Sequence, residues 1–255
     1  MKTLVKHLFL VFTLVFGTAL SQSCSNDGGY SLDKFAVGIA TVVNQPGSDW
    51  YLRLDSGEKL WIAAGIPNYK PLDGQRAIID FTLLSDETNG FDHMIRLNRI
   101  WEMRTKTIEL ALDEETLLEF GEDRCPIVAS GFPNGIWISE NKEYLNLVVA
   151  VYSQKYAVSL VDNMLDDSYE DGYKHLELRY NAFDTEVDYA IAQTYSFVLK
   201  DLAISGLKGL KIKRINAKNE EEEIVLNFDT SSQSYSQAFT SDLNIVEEPV
   251  VGRIQ

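Results

Sequence analysis

From Phe35 onward, apolar and polar residues alternate along most of the chain with a period of two. This alternation is typical of half-buried β-strands. Gly, Asn, Asp and Pro residues interrupt it at short intervals, as turns between strands do. One segment departs from the pattern: Asp113, Glu114 and Glu115 precede two leucines and Gly121, which favours one short helix with acids in its first turn. The pattern predicts an all-β protein.

Five strands are predicted within residues 32–106. The first, Phe35 to Val43, has bulky residues on one face and Ala36, Gly38 and Ala40 on the other, so it can bend sharply. The other four are predicted at 49–55, 59–63, 75–85 and 91–105, with Ala77, Ile79, Phe81 and Leu83 of the fourth pointing inward. Five such strands are typical of a small OB-like barrel. The loop 65–74 occupies the place where these barrels often have a helix.

Residues 107–123, which contain the predicted helix, are interpreted as a linker to a second domain at 124–255. Its strands are predicted at 135–139, 143–153, 155–161, 175–183, 189–202, 208–217 and 222–228. Hairpin-like spacing predicts an antiparallel β-sandwich. Five large residues of one strand are expected in its core: Tyr189, Ile191, Tyr195, Phe197 and Leu199. Residues 231–255 are interpreted as a frayed tail or an added edge strand.

The amino terminus has the pattern of an export signal. Lys2 and Lys6 precede an apolar run that ends near Ala19 and is too short to cross about 30 Å of hydrocarbon as a helix. Cys24 follows in a context that resembles a bacterial lipobox, although Ser21 stands where leucine is usual. We therefore predict that residues 1–23 are removed as a signal peptide, that Cys24 carries lipid, and that residues 24–31 form a tether. Ordinary cleavage near Cys24 is the alternative.

The chain is strongly acidic, with 23 Lys and Arg against 38 Asp and Glu and a formal net charge of −15. This charge argues against nucleic acid as a partner, because phosphates require a basic surface. It also argues against adhesion to anionic lipid through a polybasic surface. The chain has two cysteines, and lipidation of Cys24 would leave Cys125 without a partner. The fold would then depend on its hydrophobic core.

No catalytic pattern stands out. Beyond the signal the histidines are His93, interpreted as a polar strand end, and His175, and there is no Gly-x-Ser-x-Gly motif. His175, Glu177 and Arg179 alternate with apolar residues, which favours a charge ladder on the solvent side of one strand. We therefore predict no catalytic residue, no cofactor and no metal. The alternative is a glycan-acting hydrolase built from a pair of carboxylates.

The loop 162–172 is rich in acidic residues, which suggests a calcium site. The EF-hand template fails from Asp167, because Tyr169 and Leu178 stand at ligand positions. A looser site of another geometry stays open.

Four aromatic residues cluster on the second and third predicted strands and the loop after them: Trp50, Tyr51, Trp61 and Tyr69. Extended ligands lie on this region of OB barrels and stack on aromatic rings. The four residues are therefore candidates for binding a protein, peptide or glycan. The alternative is that Tyr51 and Trp61 fill the barrel interior.

Several segments together resemble one family, the NigD-like lipoproteins of Bacteroidetes. They are YSLDKF from Tyr30, IATVVN ending at Asn44, YLRLDSGEKLW from Tyr51, YKPLDGQR from Tyr69, TLLSDETNGFDH from Thr82 and HLELRYNA from His175. The resemblance implies an OB-like domain followed by a β-sandwich, on an outer-membrane lipoprotein at the periplasmic or cell-surface face. Members are named for association with a bacteriocin gene cluster, where an immunity role was proposed. The expected function is a non-enzymatic binding or interaction module, with a purely structural envelope role as a further alternative.

Overall fold

The computed structural model describes residues 35–47, 49–165 and 170–229. The predicted signal peptide, Cys24 and the tether lie outside the described residues, as do the segment 231–255 and the middle of the acidic loop. Within the described ranges, no helix has the length and apolar character needed to span a membrane. The all-β prediction is confirmed, and α1 (Glu114–Glu119) is the helix predicted between Asp113 and Gly121.

The amino-terminal strands close into a barrel in the order β1-β2-β3-β5-β4. They are β1 (Phe35–Asn44), β2 (Trp50–Leu54), β3 (Lys59–Ala64), β4 (Arg76–Thr88) and β5 (Phe91–Glu102). The small face of β1 points into the barrel, where Ala36 and Ala40 pack with Leu54 and Phe81. All four residues of β4 that were predicted to point inward lie in this core.

The remaining strands form a sandwich of two sheets. Its strands are β6 (Arg104–Lys106), β7 (Glu109–Ala111), β8 (Ile136–Ile138), β9 (Tyr144–Ser153), β10 (Ala157–Asn163), β11 (Tyr173–Asn181), β12 (Glu186–Val198), β13 (Gly209–Ile215) and β14 (Glu221–Asn227). One sheet has the order β14-β13-β11-β10-β7 and the other β6-β12-β9-β8. Three pairs are parallel (β7–β10, β11–β13 and β6–β12), where the hairpin spacing predicted antiparallel neighbours throughout.

The fifth predicted strand, 91–105, is divided between the two domains. β5 ends at Glu102, and β6 joins the sandwich sheet beside β12. Met103 lies between them, buried, and its amide donates to the carbonyl of Arg76 at 2.9 Å. The segment interpreted as a linker contributes β7 to the other sandwich sheet. The chain therefore passes from barrel to sandwich within a few residues.

The large face predicted for 189–202 is only partly correct. Tyr195, Phe197 and Leu199 lie in the sandwich core. The prediction is wrong for Tyr189 and Ile191, which are 57% and 36% exposed. Both lie near the amino-terminal end of β12, where its pairing with β9 shifts register between Glu186 and Ile191. Because of this irregularity, the alternation that places Tyr195 and Phe197 in the core cannot be extended back to Tyr189 and Ile191.

Candidate functional site

Two of the four candidate aromatic residues lie side by side on the outer face of the barrel. β2 and β3 pair so that Leu52 is opposite Leu60, which places Tyr51 opposite Trp61. Leu52 and Leu60 are fully buried in the barrel core, so the neighbouring residues in the alternation point outward. Trp61 keeps 39% of its surface exposed. The alternative interpretation, that Tyr51 and Trp61 fill the barrel, is therefore wrong.

β5 adds two residues to this surface. The ring centroids of Tyr51 and Phe91 lie 5.4 Å apart in an edge-to-face arrangement. Met94 is the partner of Trp61 in the parallel β3–β5 ladder and thus lies beside it. We call Tyr51, Trp61, Phe91 and Met94 the aromatic face. Phe91 and Met94 carry no sequence signal for this surface, since their place beside β3 depends on how the barrel closes.

Trp50 and Tyr69 form a separate pair. Trp50 packs against the barrel core, and its ring lies 6.0 Å from that of Tyr69. The Tyr69 hydroxyl accepts a hydrogen bond from Nε2 of Gln75 at 2.7 Å. These contacts connect the loop 65–74 to the barrel. The four predicted residues thus belong to two places, and only Tyr51 and Trp61 belong to the aromatic face.

A buried polar cluster joins the barrel to the sandwich. Arg76, at the start of β4, has a fully buried side chain that donates to both carboxylate oxygens of Asp55, at 2.6 and 2.8 Å. It also donates to Thr41 of β1 at 2.9 Å. From the sandwich, Ser196 and Asn146 accept its remaining bonds at 3.1 and 2.8 Å. We call these residues, with Trp137, the Arg76 cluster.

Other members of the cluster donate further hydrogen bonds to the Asp55 carboxylate. Nε1 of Trp137 donates to its carboxylate at 2.9 Å, and Nδ2 of Asn146 at 3.0 Å. The Tyr144 ring lies 4.5 Å from the Arg76 guanidinium carbon. A buried ion pair is tolerated only when such hydrogen bonds replace the lost water. Apolar side chains from both domains, including Ile39 and Val148, pack beside it. The cluster therefore holds the aromatic face in a fixed position relative to the sandwich.

Comparison with known proteins identifies the family. A model for the NigD-like N-terminal OB domain matches residues 39–103, and a model for the NigD-like C-terminal β-sandwich domain matches residues 107–228. The chain belongs to the NigD-like family. The first match ends between β5 and β6, and the second begins directly after β6. Together they confirm the resemblance and the fold class predicted from the sequence.

Three solved structures resemble this NigD-like protein. A Bacteroides vulgatus protein of unknown function is 31% identical, with a TM-score of 0.66, and the match covers 76% of this chain and 90% of that one. A Parabacteroides distasonis protein described as toxin-related is 29% identical, with a TM-score of 0.58 and coverage of 76% and 94%. A Bacteroides caccae protein described as a NigD-like immunity protein is 18% identical, with a TM-score of 0.50 and coverage of 76% and 93%, and it shows the fold alone. No match was found among curated proteins.

The buried carboxylates in the described parts of this NigD-like protein are each bonded to a cation. The buried acidic residues within the described ranges are Asp55, Asp80 and Asp162. Arg76 binds the first, Arg99 the second at 3.0 Å, and Lys174 the third at 2.6 Å. A pair of catalytic carboxylates would instead need to face each other across a substrate. In the described parts of the chain, no group of three or more His, Cys, Asp or Glu is arranged to hold a metal ion.

The end of the acidic loop contacts the first residue of the predicted charge ladder, His175. Asp171 binds Nε2 of His175 at 3.0 Å and Nζ of Lys211 at 2.9 Å. The hydrogen bond from Lys211 is the main reason that the pKa of Asp171 lies well below its usual range. Glu177 and Arg179 are bonded to each other and largely buried rather than exposed. Asp171 is thus already paired with the ammonium group of Lys211, while residues 166–169 lie outside the described residues.

Proposed function

We propose that this NigD-like protein is a non-enzymatic, lipid-anchored binding module of the outer membrane. Its ligand is a protein, peptide or glycan held on the aromatic face, in a role related to bacteriocin immunity. The observation that carries the proposal is the outward pair of Tyr51 and Trp61, supported by Phe91. Aromatic side chains on strands β2 and β3 are the usual ligand platform of OB barrels.

The physical properties of this face suit binding. Tryptophan and tyrosine offer large contact areas with few rotatable bonds, so ordering them on a ligand costs little entropy. The edge-to-face contact with Phe91 already restrains Tyr51 before a ligand arrives. The net charge of −15 favours neutral or cationic ligands over phosphates.

The comparisons support the immunity-related part of the proposal through the family. One similar solved structure is described as an immunity protein and another as toxin-related. A binding module that captures a toxin at the envelope needs a recognition surface but no catalytic group. Such a module would work by lowering the concentration of free toxin at the cell.

The function is tested by deleting the gene and challenging the strain with bacteriocins and, separately, with single polysaccharides as growth substrates. Complementation uses the wild-type chain, Trp61→Ala, and Tyr189→Ala as the matched control, since Tyr189 is a comparably exposed aromatic residue on the sandwich. We expect the deletion strain to be sensitive to one toxin. Complementation with the wild-type chain or with Tyr189→Ala should restore resistance, whereas complementation with Trp61→Ala should not. Truncating a central aromatic contact costs at least about 2 kcal/mol in binding, or roughly thirtyfold in affinity. Equal protection by both variants would overturn the assignment to the aromatic face, and glycan cleavage by the purified chain would favour the hydrolase.

The anchor is tested by Cys24→Ser. The unsubstituted protein is expected in the outer-membrane fraction, with Cys24 acylated by mass spectrometry, and the variant in the soluble envelope fraction. Acyl chains contribute about 0.8 kcal/mol per buried methylene, which is enough for stable anchoring when more than one chain is attached. An unacylated Cys24 in the native protein would remove the anchor from the proposal.

A further inference from the structure

One end of the sandwich leaves apolar side chains on the core-facing side of a sheet uncovered. In the parallel β7–β10 ladder, Leu110 pairs with Asp162, two residues after Leu160 in the sandwich core. Paired residues of a parallel ladder point to the same side, so Leu110 lies on the side that faces the core. It is nevertheless 55% exposed.

The residues that follow enlarge this uncovered surface. Leu112 and Met164 continue directly after the two strands, where the Met164 amide donates to the carbonyl of Ala111 at 3.0 Å. Leu112 is 69% exposed, and Met164 and its neighbour Leu165 are 42% and 47% exposed. Helix α1 contacts β7, contains no buried residue and exposes 62% of Leu118. We call Leu110, Leu112, Leu118, Met164 and Leu165 the edge patch.

Acidic residues flank the edge patch along the chain, and Lys174 lies beside it, bonded to Asp162, the ladder partner of Leu110. The segment 107–123 contains seven Asp and Glu and no Lys, Arg or His. Asp113, Glu114, Glu115 and Glu119 are all exposed on or beside α1. An exposed apolar surface rimmed by polar residues is typical of a protein interaction site. The rim would attract a partner of the opposite charge and orient it.

We propose that the edge patch binds a cationic amphipathic peptide segment of another protein or of a free peptide. The apolar face of the segment would lie on the leucines and Met164, and its basic residues would face the acidic rim. A second copy of this chain would bring the same acidic rim and a net charge of −15. The chain's own residues 230–255 carry three acidic residues and one arginine, so they also have the wrong sign. This inference concerns a different surface from the aromatic face and does not depend on the proposed function.

The test uses the whole folded chain and a synthetic amphipathic peptide of leucine and lysine, about 18 residues long, or five helical turns. A peptide with glutamate in place of lysine, and one of the same composition in a non-amphipathic order, are the ligand controls. Binding is measured by fluorescence anisotropy at two salt concentrations. We expect the amphipathic cationic peptide to bind more tightly than both controls, and less tightly at high salt.

Leu112→Glu and Leu118→Glu are the decisive variants, because each removes apolar area while making the protein more acidic. Leu72→Glu is the matched control, since Leu72 is 74% exposed on the barrel loop and the charge change is the same. We expect each edge-patch variant to bind the cationic peptide about tenfold or more weakly, as expected when a buried leucine contact is lost. Leu72→Glu should leave binding unchanged. Circular dichroism verifies folding, and Leu118→Glu on the exposed helix is the safer variant if Leu112→Glu misfolds.

Three results would overturn the inference. Equal binding by Leu72→Glu and Leu118→Glu would show that charge alone attracts the peptide. Dimers in sedimentation velocity that disappear in Leu118→Glu would identify a second copy as the occupant. Peptide binding that appears only after residues 230–255 are removed would identify the chain's own carboxy-terminal segment.

Discussion

Replacing Arg76 with methionine should be among the most damaging single substitutions in this protein. The change keeps an unbranched apolar stem but removes the guanidinium from a site where its side chain is fully buried. Asp55 would then be a buried carboxylate without its cation. Trp137 and Asn146 would still donate hydrogen bonds to Asp55. These bonds limit the loss of stability but do not replace the positive charge of Arg76.

The size of the expected loss of stability follows from the burial of the Arg76–Asp55 ion pair. Removing one partner of a buried ion pair typically costs about 3–5 kcal/mol, because the other charge is left uncompensated. A domain is stable by only about 5–15 kcal/mol in total. We therefore expect Arg76→Met to lower the free energy of unfolding by at least about 3 kcal/mol. Because the cluster connects both domains, we also expect the barrel and the sandwich to unfold in separate transitions.

Urea unfolding followed by tryptophan fluorescence and by circular dichroism measures both effects. Arg53→Met is the matched control, since Arg53 also joins barrel to sandwich through Glu143, but with side chains 26% and 39% exposed. That partly solvated pair should contribute less than about 1 kcal/mol. Adding Asp55→Asn to Arg76→Met should cost less than the sum of the single changes, because neither charge is then left unpaired.

Two outcomes would refute this reasoning. One is an Arg76→Met protein that unfolds within about 1 kcal/mol of the wild type, as a surface pair would. The other is strict additivity of the two substitutions, which would mean that Arg76 and Asp55 do not stabilise each other. Either result would remove the cluster as the connection that positions the aromatic face.

The remaining predictions concern tight backbone contacts and the buried thiol. Gly209→Ala should destabilise the fold by more than about 2 kcal/mol in urea unfolding, because its Cβ would lie 1.9 Å from the backbone oxygen of Leu226. Gly38→Ala should cost less, since the nearest atom to its Cβ would be the end of the Leu54 side chain, at 2.9 Å, rather than backbone. Equal losses of stability for the two variants would contradict this comparison. Burial raises the pKa of the Cys125 thiol to about 12, so the thiol should resist a thiol-specific reagent at pH 8 until urea unfolds the chain. The thiol of the unfolded chain ionises near pH 8.5, so its ionisation favours the unfolded state above that pH. The free energy of unfolding should therefore fall progressively as the pH rises from about 8.5 to about 12, and Cys125→Ala should not show this contribution.

Local pattern was sufficient for the five barrel strands and the helix, but not for β6 and β7. Period-two alternation located the barrel strands and the core residues of β4, since a pleated strand sends neighbouring side chains to opposite faces. Asp113 marked the start of α1 because its side chain accepts a hydrogen bond from the Thr116 amide at 2.7 Å. Gly121, with φ at +81°, marked the end. These signals act within a few residues, so they can be read from the chain.

Neither the Arg76 cluster nor the aromatic face could be identified as a unit from the sequence. Arg76 and Ser196 are 120 residues apart, and each resembles an ordinary polar residue at a strand position. Tyr51 was grouped with Trp50, yet the two point to opposite sides of the same strand, and the actual neighbour Phe91 comes from β5.

By itself the sequence determined the family, the strand content and the two-domain order, because alternation, turns and caps depend on adjacent residues. Only the tertiary structure decided which faces are covered. Closing the barrel placed β5 beside β3, and the parallel β7–β10 ladder left Leu110 uncovered at the end of a sheet. Alternation assigns a side chain to a face, but burial depends on what distant segment packs against that face.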